Sequence, residues 1–252
     1  QGPGQHEIDF RYDDALKAAD NFLTFKSVVK NIAARNGLHA SFLPKPMLNA
    51  SGSGLHINMS IYKDNKNIFN LSNELNKGPS ASFVEGVLSR IEDICLFANP
   101  ITNSYERMGE KSAPKYISWS EGNRSQLIRI PSAKGSLKRM ELRSPDPVCS
   151  PYLTFALLIH AGMDGINHKL DLRKAVKFNL YAAPSEKLKK YKQLPENLGD
   201  ALEFAKKSDF IKEVIPADTL KRYILKKEKE WKDVICVEDK YRYEIDNYFY
   251  KY

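Results

Sequence analysis

The sequence predicts an α+β fold, an antiparallel sheet packed against helices. Alternating apolar and polar residues are concentrated before about residue 150, while helical periodicity dominates after it. The two patterns also do not interleave as strand–helix–strand units, which a parallel sheet would demand. With 252 residues, 42% of them apolar, the chain can build a real core as one large domain or two small ones.

In chain order, QGPGQHEIDFRY reads as a loop entering a strand. From its abrupt start the chain is expected to be part of something longer. Ala15, Ala18, Phe22, Phe25, Val29 and Ile32 then recur at spacings of three and four, one face of a helix capped by Asp13 or Asp14 and ended at Gly37. His39–Leu43 is strand-like and stops at Pro44 and Pro46. The SGSG run at 51–54 is a loop whose glycines let backbone amides approach a ligand. In LHINMSIY, Leu55, Ile57, Met59 and Ile61 take one face of a strand and His56, Asn58 and Ser60 the other. Asp64 and Asn65 form the tip of a turn leading to Ile68 and Phe69. Pro79 opens a helix with Phe83, Val87, Ile91 and Ile94 inward, ending before Asn99-Pro100. Residues 102–114 lack apolar periodicity and read as a mobile loop. Pro151 starts a buried helix, and helical patterns punctuated by Pro184, Pro195 and Pro216 continue to about Val234.

Three widely spaced cysteines without a CxxC pair argue against a disulfide framework or zinc site and for a reducing, cytoplasmic setting. The most apolar run, Tyr152–Ile166, contains His160 and Asp164 and is too short to span a membrane. The net charge of +8 raises a nucleic-acid partner. Much of the lysine lies in the last eighty or so residues on solvated helix faces, so solubility is the preferred explanation and neither nucleic acid nor membrane is expected.

The chemistry is concentrated in NRSQLIRIPSAKGSLKRMELRSPDP, residues 123–147, two strand-like runs around a Pro/Gly turn. Arg139, Glu141 and Arg143 share one strand face, with Met140 and Leu142 on the other. Guanidinium forks can grip phosphate or carboxylate oxygens, and the lone carboxylate can hold a hard cation. The same pattern also fits an exposed strand whose charges neutralise one another.

NRSxLIRIP followed by RxELRSPDPxxxPYL strongly resembles the C-terminal catalytic domain of bacterial type I glutamine synthetase. GQHEIDF, KPMLxxSGSGLH at 44–56 and NPxTNSYxR at 99–107 add to the resemblance, in the same order along nearly the whole chain. It implies that residues 1–252 form one catalytic domain of guanidino-kinase-like architecture, a curved antiparallel sheet backed by helices. The N-terminal domain and first part of the catalytic domain are then absent. It implies an ATP-dependent ligase joining glutamate to ammonia through γ-glutamyl phosphate, with two or more Mg2+ or Mn2+ ions, in a dodecamer with shared active sites.

Residue by residue, Glu7, His56 and Glu141 match the family's metal ligands. Asn58, Ser60, Arg124, Arg129 and Arg139 match positions on the ATP side. Gly52, Arg107, Arg124 and Arg143 match the glutamate side. Arg124 would bridge the two substrates, from a bend before the strand that carries Arg129. Further glutamates of the family site lie upstream of this chain, so its metal site is expected to be incomplete and the chain alone a poor enzyme. The loop MGEKSAP (108–114) is one residue shorter than in the family, with Ser112 where a catalytic glutamate is usual. Glu110 is the candidate replacement. The alternative is a γ-glutamyl-amine ligase of the polyamine type. Tyr181 matches a position adenylylated in some members. From another class, the chain could be a basic binding module that borrows the fold, in which case Glu7, His56 and Glu141 would hold no metal. If the ligase reading holds, His56, Asn58, Ser60, Arg139, Glu141 and Arg143 should line one sheet face.

Overall fold

A computed structural model describes residues 2–71, 77–109, 113–133 and 135–252. The first helix, α1 (Ala15–Arg35), lies where the apolar spacing places it. Gly37 closes it at φ +70°, its N–H donating to Ala34 O while Leu38 N–H donates to Ala33 O. Asp14 occupies the N-cap position without a side-chain cap bond, and Asp13 instead pairs with Lys17 at 2.7 Å. Ala19 and Phe22 are the buried residues of this helix, and Ile32, expected inward, is 55% exposed.

Strand β1 (Ile57–Met59) follows, then a hairpin of β2 (Tyr62–Lys63) and β3 (Lys66–Asn67). The hairpin tip is Asp64 and Asn65, both at positive φ as a tight two-residue turn requires. The single turn α2 (Ile68–Leu71) leads to α3 (Pro79–Ala98), with Pro79 in its first turn. Next come the short α4 (Thr102–Tyr105), then β4 (Trp119–Glu121), β5 (Ile128–Ile130) and β6 (Met140–Leu142). The rest is helical: α5 (Pro151–Asn167), α6 (Ser185–Leu188), α7 (Leu198–Lys207), α8 (Asp209–Val214), α9 (Ala217–Ile235), α10 (Lys240–Glu244) and a π-helical turn, Ile245–Phe249.

The main sheet runs β1-β6-β5-β4. Ile57 pairs with Leu142 and Leu142 with Ile128, which places these side chains with Met140 on the underside, in the same buried cluster as α3 and α5. Those two helices approach closely because glycines line their crossing. A β-carbon on Gly86 would strike Ala161 O, and one on Gly165 would strike Ser82 O. Glu85 of α3 is held by Arg173 N–H (3.1 Å) and Nε (3.0 Å), which ties the segment after α5 back onto α3.

The α+β class and the helix-backed sheet are as expected, with four departures. Two of the three pairings in the main sheet are antiparallel, but β4 and β5 run parallel. Only residues 122–127 connect them, where a helical crossover is the usual link. That turn is fastened from outside by the strap 173–180. Asn123 Nδ2 and Gln126 Nε2 donate to Phe178 O (2.9 and 3.1 Å), Leu180 N–H donates to Ser125 Oγ (2.9 Å), and Val176 N–H donates to Trp119 O (2.9 Å). Second, the segment around Glu7 is irregular and exposed, because alternation makes a strand only where a neighbour pairs with it. Third, His39–Leu43 forms no strand, since its partner is the C-terminal tail: Phe42 N–H donates to Tyr252 O, and Ser41 Oγ donates to Phe249 O. Fourth, the start of the expected mobile loop is the buried turn α4, and Lys240–Phe249 extends the helices beyond Val234. Residues 110–112 lie outside the described residues.

Candidate active site

The upper face of the sheet is a polar row. Asn58 pairs with Glu141, Glu141 with Arg129, and Arg129 with Ser120, so all four side chains project from the same face across four strands. Glu141 is the hub, 3% exposed. Arg129 Nε donates to its Oε2 and Arg143 Nη1 to its Oε1 (2.7 Å), with His56 Nδ1 at 3.3 Å from Oε1. Burial alone would raise its pKa. The hydrogen bonds from His56 and Arg129 and the charges of Arg143 and Arg129 outweigh burial and bring it down from 4.5 to about 2. Arg139 completes the face, Nε donating to Asn58 Oδ1 at 2.9 Å.

His56, Asn58, Arg129, Arg139, Glu141 and Arg143 are therefore joined by contacts on one face, as the strand alternation requires. Ser60 is exposed just beyond the end of β1. Arg124 is exposed on the turn before β5, at the bend the sequence implied. Arg107 is 4% exposed, with Nη1 and Nη2 donating to the carbonyls of Ser144 (2.8 Å) and Arg143 (3.0 Å). These bonds brace the loop after β6. A β-carbon on Gly52 would strike Pro44 O and the Arg107 side chain, so only glycine fits there. Tyr181 follows the strap directly and is 41% exposed. Burial pushes its hydroxyl up to about 12, against the opposing charges of Arg143 and Arg107.

Glu7 does not join His56 and Glu141, because its segment has no strand to register it with β1. Gln5 tethers that segment to the site by donating from Nε2 to Gly52 O (2.9 Å). Among the described residues no group of three or more His, Cys, Asp or Glu side chains converges as a metal site. Glu141 already accepts from two guanidinium groups, one on each oxygen, so the described residues by themselves do not make up a complete divalent-cation site. Glu110 lies outside the described residues.

Sequence reasoning missed three residues that shape this region. Ser120 ends the polar row with its Oγ buried and without a hydrogen-bond partner among the described residues. Asp146 is fully buried and ties the RSPDP loop to α3 by accepting from Asn99 Nδ2 at 3.0 Å. Asn103 grips the backbone of Lys45. Position within the RSPDP and NPxTNSYxR motifs was the available signal for the last two.

The family described as "Glutamine synthetase, catalytic domain" matches residues 1–248. Glutamine synthetase of Clostridium saccharobutylicum is 43% identical over 256 residues, covering 99% of this chain and 57% of that protein. The Methanosarcina mazei enzyme is 42% identical over 241 residues, covering 93% of this chain and 54% of its own length. A solved structure of GmaS in complex with ADP superposes with a TM-score of 0.82 at 30% identity, covering 94% of this chain and 55% of that one. The chain thus spans just over half the length of the relatives it matches.

Proposed function

This chain belongs to the glutamine synthetase catalytic-domain family, and from that premise we propose that it is the catalytic half of an ATP-dependent glutamate–ammonia ligase of the bacterial type I class. The observation that carries the reading is the Glu141 hub, with Arg129, Arg143 and His56 gathered on one sheet face inside the family's motifs. In the reaction, the glutamate γ-carboxylate takes the γ-phosphoryl group of ATP, releasing ADP. Ammonia then displaces phosphate from γ-glutamyl phosphate to give glutamine.

In this reading Asn58, Ser60, Arg129 and Arg139 take the nucleotide side, Gly52, Arg107 and Arg143 the glutamate side, and Arg124 reaches over from its turn to both. Arginines suit these roles because their forks match the oxygens of phosphate and carboxylate. Glu141 holds Arg129 and Arg143 in fixed orientation, which lowers the reorganisation cost when charge builds on the transferring group. The divalent cations expected of the family would supply charge neutralisation. Glu7, His56 and Glu141 are the proposed contributors, with further carboxylates from outside this chain. A ring-shaped dodecamer with shared sites, a cytoplasmic location and Tyr181 as a modification site are parts of the same proposal. The free thiols of Cys95, Cys149 and Cys236 support the location, and no helix among the described residues is long and apolar enough to cross a membrane.

A second reading, a γ-glutamyl-amine ligase, is favoured by the shortened loop at 108–114, where Glu110 is the candidate catalytic residue. Assaying the protein extended upstream of Gln1 with ammonia and a panel of amines separates the two. In that assay Arg143→Ala should raise the KM for glutamate by about one to two orders of magnitude, and Arg143→Lys should restore it only in part. An unchanged KM in both variants would remove Arg143 from the glutamate side.

A further inference from the structure

The glycine loop that carries Gly52 is held from a distance by the C-terminal end of the chain. Its neck is closed by Ser53 N–H donating to Pro44 O at 2.7 Å, and Lys45 Nζ braces its interior by donating to Ala50 O at 3.0 Å. At the neck, Asn103 of α4 grips Lys45 reciprocally: Oδ1 accepts from Lys45 N–H (2.7 Å) and Nδ2 donates to Lys45 O (3.0 Å). The same Nδ2 donates to Glu244 Oε2 (2.8 Å), in α10, 141 residues further along. Asn103 and Glu244 are both 1% exposed, so this chain of bonds is shielded from water.

Two more contacts run the same way. Tyr241 donates its hydroxyl to Pro46 O at 3.0 Å, inside the loop, and Lys240 pairs with Glu106, next to Arg107. Tyr241 also walls a cavity of about 690 Å³ whose other side is Met47–Ser51. One turn of α10 therefore reaches both the loop and the residue beside the Arg107 that packs against it.

We propose that α10 is the latch of the 44–54 loop, and that Glu244 is a positioning residue that acts through Asn103 to set the height of Gly52 above the sheet face. A buried carboxylate is a costly choice for a purely structural contact, because an apolar residue of similar volume would fill the space without desolvating a charge. What the carboxylate adds is direction: it selects the amide orientation of Asn103 that can hold both backbone groups of Lys45.

Hydrogen exchange on the 252-residue chain tests the latch without reference to catalysis. Glu244→Ala should speed exchange at Lys45 and Ser53 by roughly tenfold or more and leave the α3 amides Val87–Cys95 unchanged. Glu244→Gln keeps a carbonyl acceptor for Asn103 and should behave as the parent. Tyr241→Phe, a milder change, should loosen the loop alone and to a smaller extent. Exchange at Lys45 and Ser53 unchanged in Glu244→Ala, or raised equally in α3, would overturn the proposal, as would failure of Glu244→Gln to protect the loop.

A kinetic arm rests on the ligase reading. In the upstream-extended protein, Glu244→Ala should raise the KM for glutamate several-fold with the KM for ATP unaffected. Loosened exchange in a protein that uses no glutamate would support the latch and count against the ligase instead.

Discussion

Glu141 shows how one side chain can organise a site while contributing to stability. Its carboxyl titrates near 2 in the fold against 4.5 ordinarily, so the folded state favours the ionised form. A depressed carboxylate contributes fully above its unfolded value and loses that contribution as pH falls through the folded one. The window here therefore runs from about 4.5 down to about 2. Urea unfolding with a chelator present should show the parent losing stability across that window more steeply than Glu141→Gln, which cannot titrate. Equal slopes would mean that the Arg129 and Arg143 contacts do not bias the protonation of Glu141.

Among the elements, α3 and α5 do most to set the sheet's position, and their crossing depends on the absence of side chains. Gly165→Ala places a methyl group against Ser82 O and the Gly86 backbone, neither of which can move independently of its helix. The helices must separate, and the expected cost is about 1–3 kcal/mol, well above what the better helix propensity of alanine returns. Chemical denaturation would detect it, and a stabilised Gly165→Ala would show that the crossing has slack. The helices and the hairpin tip were legible in the sequence because local rules write them: apolar spacing, Pro at the start of α3 and α5, Gly37 at the end of α1, Asp64-Asn65 in the turn. The polar row was legible too, since alternation fixes which face Asn58 and Glu141 share. The parallel pairing of β4 with β5 and the disorder of strand character around Glu7 and His39 were not. Pairing is decided by tertiary contact: the β4–β5 turn is held by the strap at 173–180, and Phe42 bonds to Tyr252, both far along the chain.

At the scale of the whole molecule, apolar side chains remain on the outside of α1 and α5, among them Leu16, Leu23, Val28, Ile159 and Met163. Combined with coverage of just over half of each relative, this leads to an expectation for the chain alone. It should associate loosely with rising concentration in sedimentation velocity, and on the proposed ligase reading the chain alone should form no measurable glutamine. Robust glutamine synthesis by the isolated chain would show that its own residues suffice. The strap over the Asn123 turn has a further consequence, in time rather than in space. Asn123 and Phe178 are 55 residues apart with α5 between them, so the expected order of folding secures the outer half of the sheet only after α5 has formed and docked. The Arg124 turn is then among the last parts of the chain to settle. Asn123→Ala should speed unfolding and leave the refolding rate nearly unchanged in a stopped-flow chevron, because its bonds form after the barrier. A variant that mainly slowed refolding would instead put the strap in the folding nucleus, and Arg124 would be positioned early.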